Sequence, residues 1–205
     1  KVRHPFNNPD FSSFLLQAQG SPARVIALAN AGGDFANAVK QAHEFGLTQS
    51  DRTVAALQVT LTDVASLGLD VVQGALFTDS FYWDRTPETR AYAERFFALR
   101  KAMPTAYQAG VTSALTHYLK AVQAAGTTDA AAVMARMRET PVNDFFAQGG
   151  RVRIDGRMVH DMYLMRFKKP SQSKGRWDLY ELIATVPGDE AFRPLGEGGC
   201  PYVRN

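Results

Sequence analysis

Phe81, Tyr82 and Trp83 stand side by side, and three adjacent aromatics can stack on a planar ligand while offering a tyrosine hydroxyl or an indole N–H to a carboxylate. Plain core packing of the same rings is the competing reading. The Asn30-Ala31-Gly32-Gly33 turn lacks the fuller G-x-G-x-x-G pattern of a dinucleotide site. It reads either as a tight strand-to-helix turn or as a set of backbone amides open to an anion. Asp63 is an acid placed directly before an apolar helical segment, where it either caps the helix or serves a ligand, with capping favoured. No nucleophile, base and orienter stand at a spacing that supports catalysis, so no enzyme activity is expected. His4, His43, His117 and His160 are scattered without metal-ligand spacing, so neither a metal nor a cofactor is expected.

Those residues need a scaffold, and composition bounds it. With 205 residues and 45% hydrophobic content, the chain can bury one sizeable core or two small ones. Twenty-three basic residues against 20 acidic ones leave a formal charge of +3 with no long basic run, which argues against a nucleic-acid partner. No stretch approaches the roughly 18 to 20 apolar residues that span a bilayer, and no signal-peptide pattern opens the sequence. The chain reads as soluble, with any export signal removed or outside the sequence. The single cysteine, Cys200, rules out an internal disulfide framework.

The first 80 residues alternate short β-branched runs with amphipathic segments. Asp10 reads as an N-cap for a helix closed by Gly20. Val25 to Leu28 is an apolar run suited to a strand covered on both faces, followed by the Asn30–Gly33 turn and a helix carrying Phe35, Ala38, Val39, Ala42 and Phe45. The pattern repeats with a strand at Val54 to Val59, a helix from Asp63 to about Val72 and a strand at Ala75 to Thr78. Strands and helices at this spacing imply right-handed crossovers and a parallel sheet, with ligands outside the carboxyl ends of its strands.

After Trp83 the pattern changes. Thr86-Pro87-Glu88 opens a helix carrying Tyr92, Phe96 and Leu99, and Met103-Pro104-Thr105 breaks it. A longer helix puts Tyr107, Val111, Leu115, Tyr118, Leu119 and Val122 on one stripe, read here as core, and a shorter one follows Asp129. Asp155-Gly156, between Val152-Ile154 and Met158, suggests a hairpin with a type I′ turn. Its second strand continues irregularly through Tyr163 and Phe167, Leu179 to Ala184 is a last strand, and Pro187 to Asn205 an irregular wrap. Helices and a hairpin without a sheet to cover read as part of a larger protein.

Several segments, taken in order, resemble the branched-chain amino-acid type of periplasmic binding protein. They are Asp10 to Ala18, Ala29 to Asp34, Lys40-Gln41-Ala42, Phe45-Gly46-Leu47, Gly74 to Trp83, and Pro187 to Phe192. The resemblance implies a non-enzymatic α/β fold of two Rossmann-like lobes joined by a hinge, with a small ligand in the cleft between them. It implies a periplasmic location and delivery of the ligand to the membrane permease of an ABC transporter; a ligand-sensing receptor domain of the same fold is the alternative. Residues 1–83 correspond to the core of the C-terminal lobe, 84–170 to helices and a hairpin of the N-terminal lobe, and 171–205 to a return to the C-terminal lobe and a tail. Most of the N-terminal lobe would be a missing partner.

The resemblance also implies the site. The lobe's two cleft loops map to Asn30–Gly33 and to Gln58 through Asp63, and the hinge to Phe81–Trp83, giving Asn30, Ala31, Gly32, Gln58, Asp63, Tyr82 and Trp83 as ligand residues. Where amino-acid binders carry an aromatic residue and a glutamate, an ungapped placement finds Ala31 and Gln58. A glutamine cannot neutralise an α-ammonium, so an aromatic or other organic carboxylate is preferred over a branched-chain amino acid.

Overall fold

The computed structural model describes residues 1–203 and divides them into two compact units, between which the chain passes three times. Lys1–Thr78 and Leu164–Ala184 form the first unit; Asp79–Tyr163 and the segment from Thr185 onward form the second. The first two crossings fall after Thr78 and after Tyr163. A third, at Ala184, carries the tail into the second unit. Arg204 and Asn205, the end of the expected tail, lie outside the described residues.

In the first unit the alternating pattern takes the form it implies. Strands β1 (Val25–Leu28), β2 (Thr53–Ala56) and β3 (Leu76–Asp79) pair in parallel, β1 with β2 and β2 with β3. Strands β6 (Met162–Phe167) and β7 (Tyr180–Val186) complete a five-stranded sheet in the order β1-β2-β3-β6-β7. Phe77 stacks on Phe167 at 4.4 Å between ring centroids, and Tyr180 meets Phe77 edge-on at 4.5 Å, so aromatic contacts join the parallel strands to the later pair. Helices α1 (Ser12–Gln19), α2 (Gly32–Glu44), α3 (Leu61–Leu67) and α4 (Leu69–Val72) accompany these strands. Helix α2 buries Phe35, Ala38, Val39 and Ala42, the stripe read from the sequence. The last carbonyls of α1 and the residues after it are collected by one side chain, with the Arg52 guanidinium donating to Ala18, Gln19 and Ser21 at 2.5, 2.7 and 3.0 Å.

Several local expectations change. Asp10 is not the N-cap, a position held by Phe11, although its carboxylate accepts from Ser12 N–H at 2.8 Å. Asp63 lies inside α3, at the third position of a capping box with Thr60, because threonine supplies the oxygen for the helix entrance. Gly68, at φ +87°, splits the expected 63–72 helix into α3 and α4. β2 ends at Ala56 rather than Val59. β1 is an edge strand with Val25 58% exposed, not one covered on both faces.

The second unit is built on helices α5 (Pro87–Arg100), α6 (Ala106–Ala125) and α7 (Ala130–Glu139) and the hairpin β4 (Arg151–Val152) and β5 (Met158–Val159). Thr86 with Pro87 and Thr105 with Gln108 start α5 and α6 as capping boxes, and Gly126 in the left-handed region ends α6. The hairpin turn is not type I′. Gly156 N–H donates to Arg153 O at 3.0 Å and only Gly156 takes a positive φ, the geometry of a three-residue loop with a bulge. Phe81, Tyr92, Ala109, Val142, Phe146 and Ala147 form the core.

The tail is tied to the hairpin. The Arg153 guanidinium donates to Arg193 O at 3.0 Å, Arg151 pairs with Asp189, and Gly188 N–H donates to Asp161 Oδ1 at 3.1 Å. Gly188, in the short helix α8 (Gly188–Ala191), has no room for a side chain, since a Cβ would lie 2.8 Å from His160 O.

Helix α6 reverses the expected polarity. Its buried face is Ala109, Ser113, His117 and Ala121, while Tyr107, Val111, Leu115, Tyr118 and Leu119 are 57, 68, 54, 41 and 55% exposed. Tyr107 and Tyr118 are therefore not core residues of this unit. Small residues at 109 and 121 let the helix approach closely on one side, and the wide apolar stripe is left open on the other.

Replacing Gly188 by alanine is expected to lower the thermal unfolding midpoint, at a cost of about 1–3 kcal/mol from overpacking against His160. The chain on its own is expected to associate through the α6 stripe, and a Val111→Lys/Leu115→Lys variant to sediment as a monomer. A wild-type chain that sediments as a monomer at the same concentration contradicts this.

Candidate functional site

A parallel pairing sends the carboxyl ends of β1, β2 and β3 to one edge of the sheet, and the segments that follow them carry the residues singled out in the sequence. After β1, Ala31 is extended (φ −139°, ψ 167°) and gives α2 no side-chain cap. Gly32 follows at φ +56°, a conformation that disfavours any residue with a Cβ. A Cβ at Gly32 or Gly33 would meet nothing within 4 Å, and the entrance of this 13-residue helix, at the positive end of its dipole, has no side-chain cap.

Asn30 stands at the same turn. Its Nδ2 donates to Asp34 O at 3.3 Å, and its Oδ1 is buried with no hydrogen-bond partner among the described residues. A buried acceptor without a donor is uncommon and marks a place where a ligand or water is expected. The carboxylate of Asp34, also in the first turn, accepts from the backbone N–H groups of Asn7 and Asn8 at 3.1 and 2.8 Å.

After β2, Gln58 is exposed. Asp63 Oδ2 accepts from Thr60 N–H at 2.9 Å and from Thr60 Oγ1 at 2.7 Å, which gives the acid a structural task at the entrance of α3. At the end of β3, Asp79 is a residue that sequence reasoning missed. Loss of hydration raises its carboxyl to about 7, against the opposing effect of hydrogen bonds from the backbone N–H groups of Ser80, at 2.7 Å, and Phe81. An acid closing an apolar strand at such an edge was the available signal.

In the second unit, Phe81 lies in the core beside Tyr92 and Phe146. Tyr82 is buried and Trp83 half-buried, their rings 5.9 Å apart and edge-to-face, and Trp83 packs against the core cluster. Arg85, also missed, lies two residues on, its guanidinium 4.4 Å above the Tyr163 ring. Within this unit a cavity of about 770 Å³ lies among α6, α7, the hairpin and the tail, with His117, Met137, Arg157 and Phe192 in its wall. None of the seven expected site residues lines it, and its Arg153 is held by Asp155 at 2.6 Å. The strand-end residues, with their open amides and orphan acceptor, are the better candidate.

The α/β chain with its parallel-rich sheet has the fold of the type I periplasmic binding proteins. The periplasmic binding protein family matches residues 1–176, and the chain belongs to that family. A periplasmic binding protein from Burkholderia mallei is 51% identical with a TM-score of 0.90, the match covering 99% of this chain and 54% of that one. A branched chain amino acid ABC transporter periplasmic ligand-binding protein from Burkholderia xenovorans LB400 is 45% identical, TM-score 0.90, covering 98% and 54%. A solute binding protein of an ABC transporter from Rhodopseudomonas palustris BisB5, solved with 3,4-dihydroxy benzoic acid, shares the fold at 18% identity and TM-score 0.73, covering 94% and 52%. The chain thus spans about half the length of these structures. No curated protein matches.

Because Asp79 carries a raised value, the folded protein holds a proton that the unfolded chain releases between about pH 4 and 7, so its stabilising effect is lost as pH rises through that window. The Asp79→Asn variant keeps the group neutral. Its unfolding midpoint relative to wild type is expected to rise between pH 5 and pH 8, and a constant difference across that range contradicts the assignment.

Proposed function

We propose that this chain supplies ligand-contacting parts of an extracytoplasmic solute-binding protein that carries a small organic carboxylate, preferentially an aromatic one, to the permease of an ABC importer. The observation that carries the reading is the entrance of α2, which has no side-chain cap and free space around Gly32 and Gly33, next to the buried Oδ1 of Asn30, which has no partner among the described residues. Amides at a helix N-terminus suit a carboxylate, and an orphan acceptor suits a ligand hydroxyl or N–H. Asn30, Ala31, Gly32 and Gln58, all in the first unit, are the proposed contacts.

A branched-chain amino acid is the competing ligand, in keeping with the name of the Burkholderia xenovorans relative. Its ammonium needs a buried counter-charge, without which several kcal/mol are lost, enough to erase micromolar affinity. Gln58 is neutral, and Asp63 is occupied by its capping box. The aromatic preference also accords with the dihydroxybenzoate bound by the Rhodopseudomonas palustris protein of the same fold. The exposed α6 stripe fits a partner lobe from the remaining half of a protein as long as the relatives. Membership of the periplasmic binding protein family supports an extracytoplasmic, periplasmic location.

The test is a thermal-shift screen of the full-length protein against benzoate, 3,4-dihydroxybenzoate, leucine, isoleucine and valine. Stabilisation by the aromatic acids is expected. Stabilisation by the branched-chain amino acids alone would overturn the preference.

A further inference from the structure

The cavity of the second unit is formed by that unit alone, among α6, α7, the β4–β5 hairpin and the tail, and none of the residues proposed to contact the ligand in the first unit borders it. Its volume of about 770 Å³ lies within the span of about 300–1,000 Å³ usual for small-molecule sites. Its wall has two chemical parts. Phe146, Met134, Met137 and Met158 supply an apolar one, and methionine side chains are flexible enough to follow the shape of an apolar guest. Arg153, Arg157 and Arg193 supply a cationic one, with Asp155 as the only carboxylate beside them.

That carboxylate is spent on Arg153, at 2.6 Å. Arg157 and Arg193 enter no ion pair among the described residues, and both are exposed. Arg157 is positioned against the wall, its guanidinium carbon 5.4 Å from the centre of the Phe192 ring. The two imidazoles of the wall each spend one ring N–H on a backbone carbonyl, His117 Nε2 donating to Met137 O at 2.9 Å and His160 Nδ1 to Asp161 O at 2.7 Å. The charge left for a guest is therefore that of two guanidiniums in contact with solvent, next to a wall of methionines and a buried phenylalanine.

We propose that this cavity is a second ligand site, which takes an amphipathic monocarboxylate of the medium-chain fatty-acid class, with the chain against the methionines and Phe146 and the head on Arg157 and Arg193. A polyol would leave the apolar wall without a hydrophobic partner, and a hydrocarbon would leave both guanidiniums without an anion. The site lies apart from the α2 entrance and does not depend on the ligand proposed there.

The test is calorimetric titration of the full-length protein with decanoate and with its uncharged counterpart decanol, each below the concentration at which it aggregates, alone and with excess benzoate or leucine. Wild type is compared with Arg157→Gln/Arg193→Gln and with Ala114→Trp, which places a large ring in the wall of the cavity, and the unfolding midpoint of each variant is measured without ligand. Wild type is expected to bind one decanoate, unaffected by benzoate or leucine. The double glutamine variant is expected to weaken decanoate at least tenfold, as the loss of charge-assisted hydrogen bonds does, and to keep decanol within about twofold. Ala114→Trp is expected to weaken both at least tenfold, and it decides the matter if the double variant does not fold. Decanoate binding within twofold of wild type in a folded variant, displacement of decanoate by benzoate or leucine, or no binding of decanoate by the full-length wild type each overturns the second site and leaves the proposed function standing. That function is judged separately, by the response to benzoate and the branched-chain amino acids.

Discussion

Parallel pairing of β1, β2 and β3 is the constraint on which the other features depend. It requires each strand to be left at the same edge of the sheet and regained through a helix, so every strand-to-helix turn of the first unit opens at that edge. The helix entrances gathered there carry unsatisfied amides by geometry alone. At α3 the protein satisfies them with Thr60 and Asp63; at α2 it does not, placing Ala31 where a capping side chain would stand and a positive-φ glycine after it. Two helices of similar origin thus end up chemically different, one closed and one open to an anion.

Buried polar atoms without partners tell the same story from the other direction. A folded chain rarely leaves a donor or acceptor unsatisfied away from water, because each costs on the order of 1–3 kcal/mol. Here the Asn30 acceptor and the Arg85 donor fall at, or within two residues of, positions singled out for ligand contact on independent grounds. Asp79, at the end of β3, adds a carboxyl kept from ionising by loss of hydration.

Much of the first unit was legible in the sequence because its signals are local. A β-branched run followed by Gly-Gly and an amphipathic stripe gives a strand, a turn and a helix, and β1 and the apolar face of α2 lie where that pattern puts them. Apolarity alone did not reveal that β1 is an edge strand, since exposure depends on which neighbours a sheet has. The same limit explains α6. Its periodicity located an apolar stripe correctly, but close helix contact in this unit is made by Ala109, Ser113 and Ala121, whose small size is invisible to a hydrophobic pattern. Asp79 and Arg85 went unseen because burial of a charged atom is a tertiary property. Neither spacing nor composition announces it.

Chemical-shift mapping of the backbone amides tests the central claim most directly. On adding benzoate to the full-length protein, the account predicts the largest perturbations at Gly32 and Gly33. Perturbations confined to the residues around His117, Arg157 and Phe192, with the amides of Gly32 and Gly33 unmoved, would place the ligand in the cavity of the second unit and contradict it.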